Sequence, residues 1–361
     1  MSTAPASMAP ASPLYASRFL LALLGTLMPV AGYLIGDNYH AFLVTFLIIP
    51  VLDWIAGRDE SNPAPERAAR LERSQFFRAI LYLYAPIHLG LIGWGAWVVT
   101  HGNLSPAQNL GLMLSVGIVT GAQGITIGHE LGHKQSAADR WIARVLLVTV
   151  SYGHFYIEHN RGHHVRVATP DDPATARYGE SFWRFLPRTV SGSWLSAWDI
   201  ERTRLQRLGL PVLSWRNQML WFSALPLVIG AALGLALGPL ATVFFFVQSA
   251  MAITLLEAVN YIEHYGLTRD KGADGRYERV GIRHSWDADN LVTNCFLIHL
   301  QRHADHHTHP ARPYQALRHL DGSPKLPAGY AGMIPLALVP PVWFAVMNPR
   351  VEALRRTAET G

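Results

Sequence analysis

The stretch 240–264, LATVFFFVQSAMAITLLEAVNYIEH, runs from Leu240 to Tyr261 with one charged residue, Glu257, and then ends in histidine. A helix needs about 20 apolar residues to cross the hydrocarbon of a bilayer. The segment therefore reads as a membrane span that delivers His264 to the boundary. Five more apolar runs of comparable character lie at 19–35, 41–56, 80–99, 110–127 and 219–237. Two shorter apolar segments, 145–157 and 331–346, are interrupted by Tyr152-Gly153-His154 and Pro340-Pro341 and read as packed against the membrane without crossing it.

The composition agrees with this reading. Half of the 361 residues are apolar and 15% are charged, where a soluble domain carries roughly 25% charged residues. A nucleic-acid-binding role is a poor account of the net charge of +5, because the basic residues follow the topology instead. The linkers between the first and second, third and fourth, and fifth and sixth runs hold no Lys or Arg, whereas 57–78 holds five and 128–218 holds twelve. Twelve more follow the sixth run, and Arg18 precedes the first. All 30 fall on one face, which the positive-inside rule makes cytoplasmic, together with both termini. The expectation is an all-α, multi-pass membrane protein with six transmembrane helices. Its single membrane domain covers 17–348, with a cytoplasmic helical cap built from 128–218 and 262–348. The uncharged, Ala/Ser/Pro-rich 1–16 reads as a disordered tail, and 349–361 as a C-terminal tail.

The single cysteine, Cys295, excludes an internal disulfide, a Cys-ligated zinc ribbon and a Cys-ligated iron–sulfur cluster. Histidine is the outlier, with 17 residues, and most of them cluster. The clusters are His129-Glu130-Leu131-Gly132-His133, Glu158-His159-Asn160-Arg161-Gly162-His163-His164, Asn260-Tyr261-Ile262-Glu263-His264-Tyr265-Gly266, and Leu300-Gln301-Arg302-His303-Ala304-Asp305-His306-His307. Residues four apart share a helix face, so His129 and His133, and likewise His159 and His163, can reach one ion from one helix. His164, His264, His303, His306 and His307 bring the candidate ligands to nine. One ion takes four to six ligands, so nine imply a dinuclear site. Imidazole suits iron, copper, zinc or nickel. Glu130, Glu158, Glu263 and Asp305 adjoin these ligands and are expected to hold imidazole N–H groups from behind, or in some cases to bridge metals instead. His40, His88, His101, His284, His299, His309 and His319 stand apart and read as structural, and His154 as a weaker ligand candidate.

These four clusters resemble the histidine boxes of the membrane di-iron hydroxylases and desaturases. Within that superfamily, Asn260–Gly266 resembles the additional His-Tyr-Gly box of the alkane 1-monooxygenases, Leu300–His307 their late box, and 129–134 their first. The resemblance extends over most of 40–345, including Ala168-Thr169-Pro170-Asp171-Asp172-Pro173. It implies that His129, His133, His159, His163, His164, His264, His303, His306 and His307 bind two non-haem iron ions. It implies O2-dependent hydroxylation of the terminal methyl of a linear alkane taken from the bilayer, with the second oxygen atom leaving as water. It also implies rubredoxin as electron donor, reduced in turn by an NAD(P)H-dependent reductase; the chain has no Cys-x-x-Cys pair of its own. A methyl C–H has no acid, base or leaving group for a side chain to act on, so the chemistry suits a metal cofactor and a positioning protein. Phe244, Phe245, Phe246 and Trp54 are candidate channel walls.

Other readings compete. A xylene-type methyl hydroxylase, or another hydroxylase or desaturase of the same superfamily, would carry similar boxes. His129–His133 also reads HExxH, the zinc-protease pattern with Glu130 as general base, but that leaves most of the clustered histidines unused. A metal transporter would place its ligands near the bilayer midplane, whereas these lie at span ends and beyond.

Overall fold

The computed structural model describes residues 13–360. Among them it forms helices and loops with three isolated bridges and no β-strand. Five helices are long and apolar enough to cross a membrane: α1, Tyr15–Ile35; α3, Pro65–His101; α4, Pro106–Gly132; α8, Gln218–Leu237; and α9, Pro239–His264. Between α1 and α3 lies α2, a shorter apolar helix over His40–Ala56, at the position of the second expected span.

Local sequence sets the ends. Ser105 Oγ accepts from Gln108 N at 3.3 Å while Gln108 Oε1 accepts from Ser105 N at 2.9 Å, a reciprocal cap that starts α4. Asn217 Oδ1 accepts from Met219 N at 2.9 Å and starts α8. Gly238, at φ 102°, lets the chain reverse from α8 straight into α9.

Helix α4 is the centre of the bundle: 83% of its most apolar stretch is buried, against 17% for α8 at the periphery. It packs closely on α9. A Cβ at Gly121 would stand 2.8 Å from the Ala252 Cα, so only small residues permit this approach.

The remaining elements gather at the end of the bundle that carries His129 and His264. They are α5, Ala137–Val148; α6, which starts as Phe155–Glu158 and continues through His159–His163 to His164–Arg166; α7, Phe182–Arg207; α10, Leu291–Phe296; α11, His303–Thr308; α12, Tyr330–Ala337; and α13, Pro340–Thr360. The apolar segments 145–157 and 331–346 form parts of α5, α6, α12 and α13, and neither makes a helix of spanning character. The expected N-terminal tail lies, for 1–12, outside the described residues. Its last residues are helical, and Tyr15 donates to the Gln315 carbonyl at 2.9 Å. Helix α13 continues through most of the expected C-terminal tail.

Buried carboxylates hold the short helices in place. Asp53 of α2 accepts from the Val292 and Thr293 amides at 2.9 and 3.0 Å, fixing the start of α10. Asp287 accepts from Ala304 N at 2.7 Å and from Ser323 Oγ at 2.7 Å, fixing α11. Between α10 and α11, Ile298 and His299 take positive φ of 43° and 59°. That conformation is costly for a β-branched residue, and it persists because the flanking helices are pinned.

Candidate metal centre

The structure brings the nine clustered histidines into two adjoining groups. His129, His133, His159, His164 and His306 form one, and His163, His264, His303 and His307 the other, with each group's ligand atoms within 4.8 Å of one another. In the first, His159 Nε2 lies 3.1 Å from His133 Nε2 and 3.0 Å from His164 Nε2, and His164 Nε2 lies 3.2 Å from His306 Nε2. In the second, His307 Nε2 lies 2.9 Å from His303 Nε2 and 3.3 Å from His163 Nε2, and His303 Nε2 lies 3.2 Å from His264 Nε2.

Hydrogen bonding accounts for only part of this convergence. A neutral imidazole carries one N–H, and two of these rings spend theirs elsewhere. His163 Nδ1 donates to Asp172 Oδ2 at 2.9 Å, and His264 Nδ1 to the His284 carbonyl at 3.2 Å. Their Nε2 lone pairs therefore point inward. Nitrogen ligands about 2.1 Å from a shared cation would lie close to one another, as the ligand atoms of each group do. The donor set of imidazoles without cysteine fits iron, and the convergent lone pairs fit two ions.

Protonation agrees. Burial, and then the neighbouring imidazoles, hold His133, His159, His164, His303, His306 and His307 well below the ordinary histidine range, so these rings are neutral and able to ligate. His163 is the exception. Burial pulls its pKa down, but the Asp172 carboxylate more than offsets this and raises it.

The second box departs from the helical spacing expected of it. His159 and His163 serve different groups, although they are four residues apart. The reason is a π-turn over His159–His163, in which the His164 N–H donates to the His159 carbonyl. An i→i+5 turn brings residues five apart toward one face, so His164 joins His159 and frees His163 for the second group. The fourth box divides as well: His303 and His307, one turn apart, face the second group, and His306 faces the first.

Three of the four neighbouring carboxylates do not hold an imidazole of either group. Glu130 accepts from Tyr314 N at 3.1 Å and pairs with Lys134 at 2.8 Å. Glu158 pairs with Arg166 at 2.8 Å and accepts from Ser196. Asp305 accepts from Arg318 N at 2.9 Å and pairs with Arg312, with His309 beside it. A buried charge needs a partner, and each of these has a cation and a backbone or hydroxyl donor from the cap. Glu263 does meet a ligand candidate, but from the front: its Oε2 lies 3.2 Å from His303 Nε2, while Tyr330 donates to its Oε1 at 2.8 Å. The carboxylate behind an imidazole is Asp172, also bonded by Thr175 at 2.6 Å. The sequence contains it in the loop after the second box, next to Asp171, with nothing in spacing to choose between them.

The isolated histidines stay outside both groups. His88 bonds Thr149 at 3.0 Å, His299 the Tyr314 carbonyl at 3.0 Å, and His319 Asp289 at 2.9 Å. His154 is buried, with its Nε2 unpaired, and joins neither group.

An apolar cavity leads from this centre into the bundle. His129, His159 and His303 stand at one end with Glu263 and Asn260, and the walls include Ala122, Ile125, Leu255, Leu256, Val259, Phe296 and Ile334. Two further π-turns, Val44–Ile48 and Thr120–Ile125, contribute Thr45, Gly121 and Ala122 to the wall. None of the expected aromatic walls lines it. Phe244 and Phe245 are packed in the helix core, and Phe246 and Trp54 face outward, Trp54 with 84% of its surface exposed. Going from His129 to Gly121, or from Glu263 to Leu255, covers eight residues, so the cavity reaches about 12 Å along each helix.

Comparison with known proteins follows the same lines. The family model for fatty acid desaturases matches residues 104–337. Alkane 1-monooxygenase 2 of Pseudomonas aeruginosa is 48% identical over 344 residues, covering 93% of this chain and 91% of the relative. Alkane 1-monooxygenase of Pseudomonas putida is 44% identical, covering 85% of this chain and 76% of the relative. The hydroxylase component of a Pseudomonas putida xylene/toluene monooxygenase is more distant, at 28% identity with 89% and 86% covered.

Proposed function

Because this chain belongs to the alkane 1-monooxygenases of the fatty acid desaturase family, we propose that it hydroxylates the terminal methyl of linear alkanes at a di-iron site. The supporting observation is the placement of two adjoining imidazole groups at one end of an apolar cavity. The reaction takes an alkane, O2, two electrons and two protons to a primary alcohol and water. Iron bound by the nine histidines supplies the activation of O2, which no side chain provides.

The chain's own residues do the rest. The cavity walls exclude water and confine the alkane lengthwise, so that its end meets the histidines. Asp172 and the His284 carbonyl fix the tautomers of His163 and His264. Tyr330 holds the Glu263 carboxylate at the cavity end. Of the nine histidines only His133 and His164 are part-exposed, and in this reading electrons from rubredoxin enter along their edge. In this reading six helices, with α2 as the second, cross the bacterial inner membrane, and both termini and the cap are cytoplasmic.

The direct test supplies octane, reduced rubredoxin and 18O2 to the purified protein. One labelled oxygen in 1-octanol is expected; product under strict anaerobiosis contradicts the reaction. Asp172→Ala is expected to weaken one of the two ions by about 10–100-fold, the range for losing a ligand's supporting carboxylate. Iron per chain after dialysis against a chelator checks this, with a fall from two toward one. Glu130→Gln separates the HExxH reading. A zinc protease would lose its general base, whereas this chain is expected to keep both irons and its turnover, because Glu130 serves Lys134 and Tyr314.

The 48% alkane relative against the 28% xylene relative favours the alkane as substrate.

A further inference from the structure

A second concavity lies on the outside of the bundle, between α5 and the start of α8, and shares no residue with the metal centre. It is a groove of about 780 Å³, too large for a single water or small ion. Its two walls are helix faces: Trp141, Arg144, Val145 and Val148 follow one another at helical spacing on α5, and Trp221, Phe222, Leu225 and Ile229 on α8.

The groove changes chemistry along its length. At the Gln218 end it carries three arginines, Arg144, Arg204 and Arg216. Arg204 is neutralised by Glu201, with nitrogen–oxygen distances of 2.7 and 2.6 Å. Arg144 and Arg216 have no ion pair among the described residues. Arg144 lies over the Tyr156 ring at 4.6 Å and keeps a buried Nε without a partner, and Gln218 Oε1 is likewise unpaired. Three tryptophans surround this end and are exposed: Trp141, Trp215 and Trp221. Toward Ile229, about 16 Å from Gln218 along α8, the floor is aliphatic and aromatic.

We propose that this groove binds one anionic glycerophospholipid of the surrounding bilayer, with its phosphate on Arg144 and Arg216 and an acyl chain along Phe222, Leu225 and Ile229. Charge complementarity names the occupant. Two unpaired guanidiniums ask for an anion, and guanidinium is well matched to phosphate oxygens. The apolar floor asks for a chain attached to that anion. An alkane leaves the arginines unmet, and a soluble phosphate leaves the floor unmet. The tryptophans mark the depth at which a headgroup lies, and basic pockets between helix ends are where acidic lipids are held. The inference uses the membrane reading of α8 but not the reaction, so an inactive preparation still tests it.

The test is thermal unfolding of the detergent-solubilised protein with added phosphatidylglycerol or phosphatidylcholine. Phosphatidylglycerol is expected to raise the midpoint by roughly 3 °C more than phosphatidylcholine, as a ligand that binds only the folded state does. In Arg144→Gln/Arg216→Gln that difference should vanish, while Arg144→Lys/Arg216→Lys should keep most of it. Arg216→Gln alone, at an exposed side chain, should lower it even if the double variant does not fold. Native mass spectrometry of the wild type should show one retained phosphatidylglycerol. Equal shifts from both lipids, a full shift in the double Gln variant, or the same shift from inorganic phosphate would overturn the proposal.

Discussion

His264→Ala is expected to remove alkane hydroxylation, to below about one-hundredth of wild type, and to lower bound iron from about two to about one per chain. His264 ends the span α9, and its ring is oriented by the Nδ1 bond to the His284 carbonyl, which leaves Nε2 facing the group, 3.2 Å from His303 Nε2. The second group has only four histidines, so losing one leaves three for its ion. The first group keeps all five and should hold its metal. His299→Ala is the matched control. That histidine is equally buried and bonded, to the Tyr314 carbonyl, but lies outside both groups, so both irons should remain. Helical circular dichroism separates loss of metal from loss of fold. Full activity with His264→Ala would contradict the nine-ligand centre.

Ala122→Phe is expected to shorten the longest alkane accepted. Ala122 lines the cavity seven residues before His129, roughly 10 Å along α4. Carbon–carbon bonds of about 1.5 Å advance an extended chain by roughly 1.25 Å per carbon, so the 12 Å reach holds about nine or ten carbons. A phenyl ring at Ala122 fills the remote end and leaves the histidine end unchanged. Turnover of decane should fall by at least about tenfold, equivalent to some 1.4 kcal/mol of lost binding in the transition state, while hexane should be little affected. A uniform loss across chain lengths would show that the alkane does not lie along α4.

Sequence is decisive where one residue type decides one property. Apolar runs without charge became the long helices, because nothing but burial or lipid can satisfy such surfaces. The run at 41–56 became a shorter helix. Its Asp53 turns inward to cap α10 and ties this helix to the cap. The gathering of nine histidines was legible from their clustering, but their division was not. Spacing of four describes an α-helix, and the π-turn at His159–His163 exchanges the partners of His163 and His164. The carboxylate partners were not legible for a related reason. Glu130, Glu158 and Asp305 are adjacent to ligands in sequence, yet their side chains answer to Lys134, Arg166 and Arg312, which arrive from the same or neighbouring turns and loops. Asp172 reaches His163 only because its loop folds back. The backbone carbonyl of His284 has no sequence signature at all. The aromatic walls failed because aromatic residues pack a helix core or face lipid as readily as they line a channel, and Phe244 and Trp54 took those two fates.

Metal content of the detergent-purified protein, measured by elemental mass spectrometry, bears most directly on the di-iron reading. About two irons per chain are predicted, one for each group of histidines. One zinc per chain, with no iron after growth in iron-rich medium, would contradict the di-iron site and return His129–His133 to the protease reading.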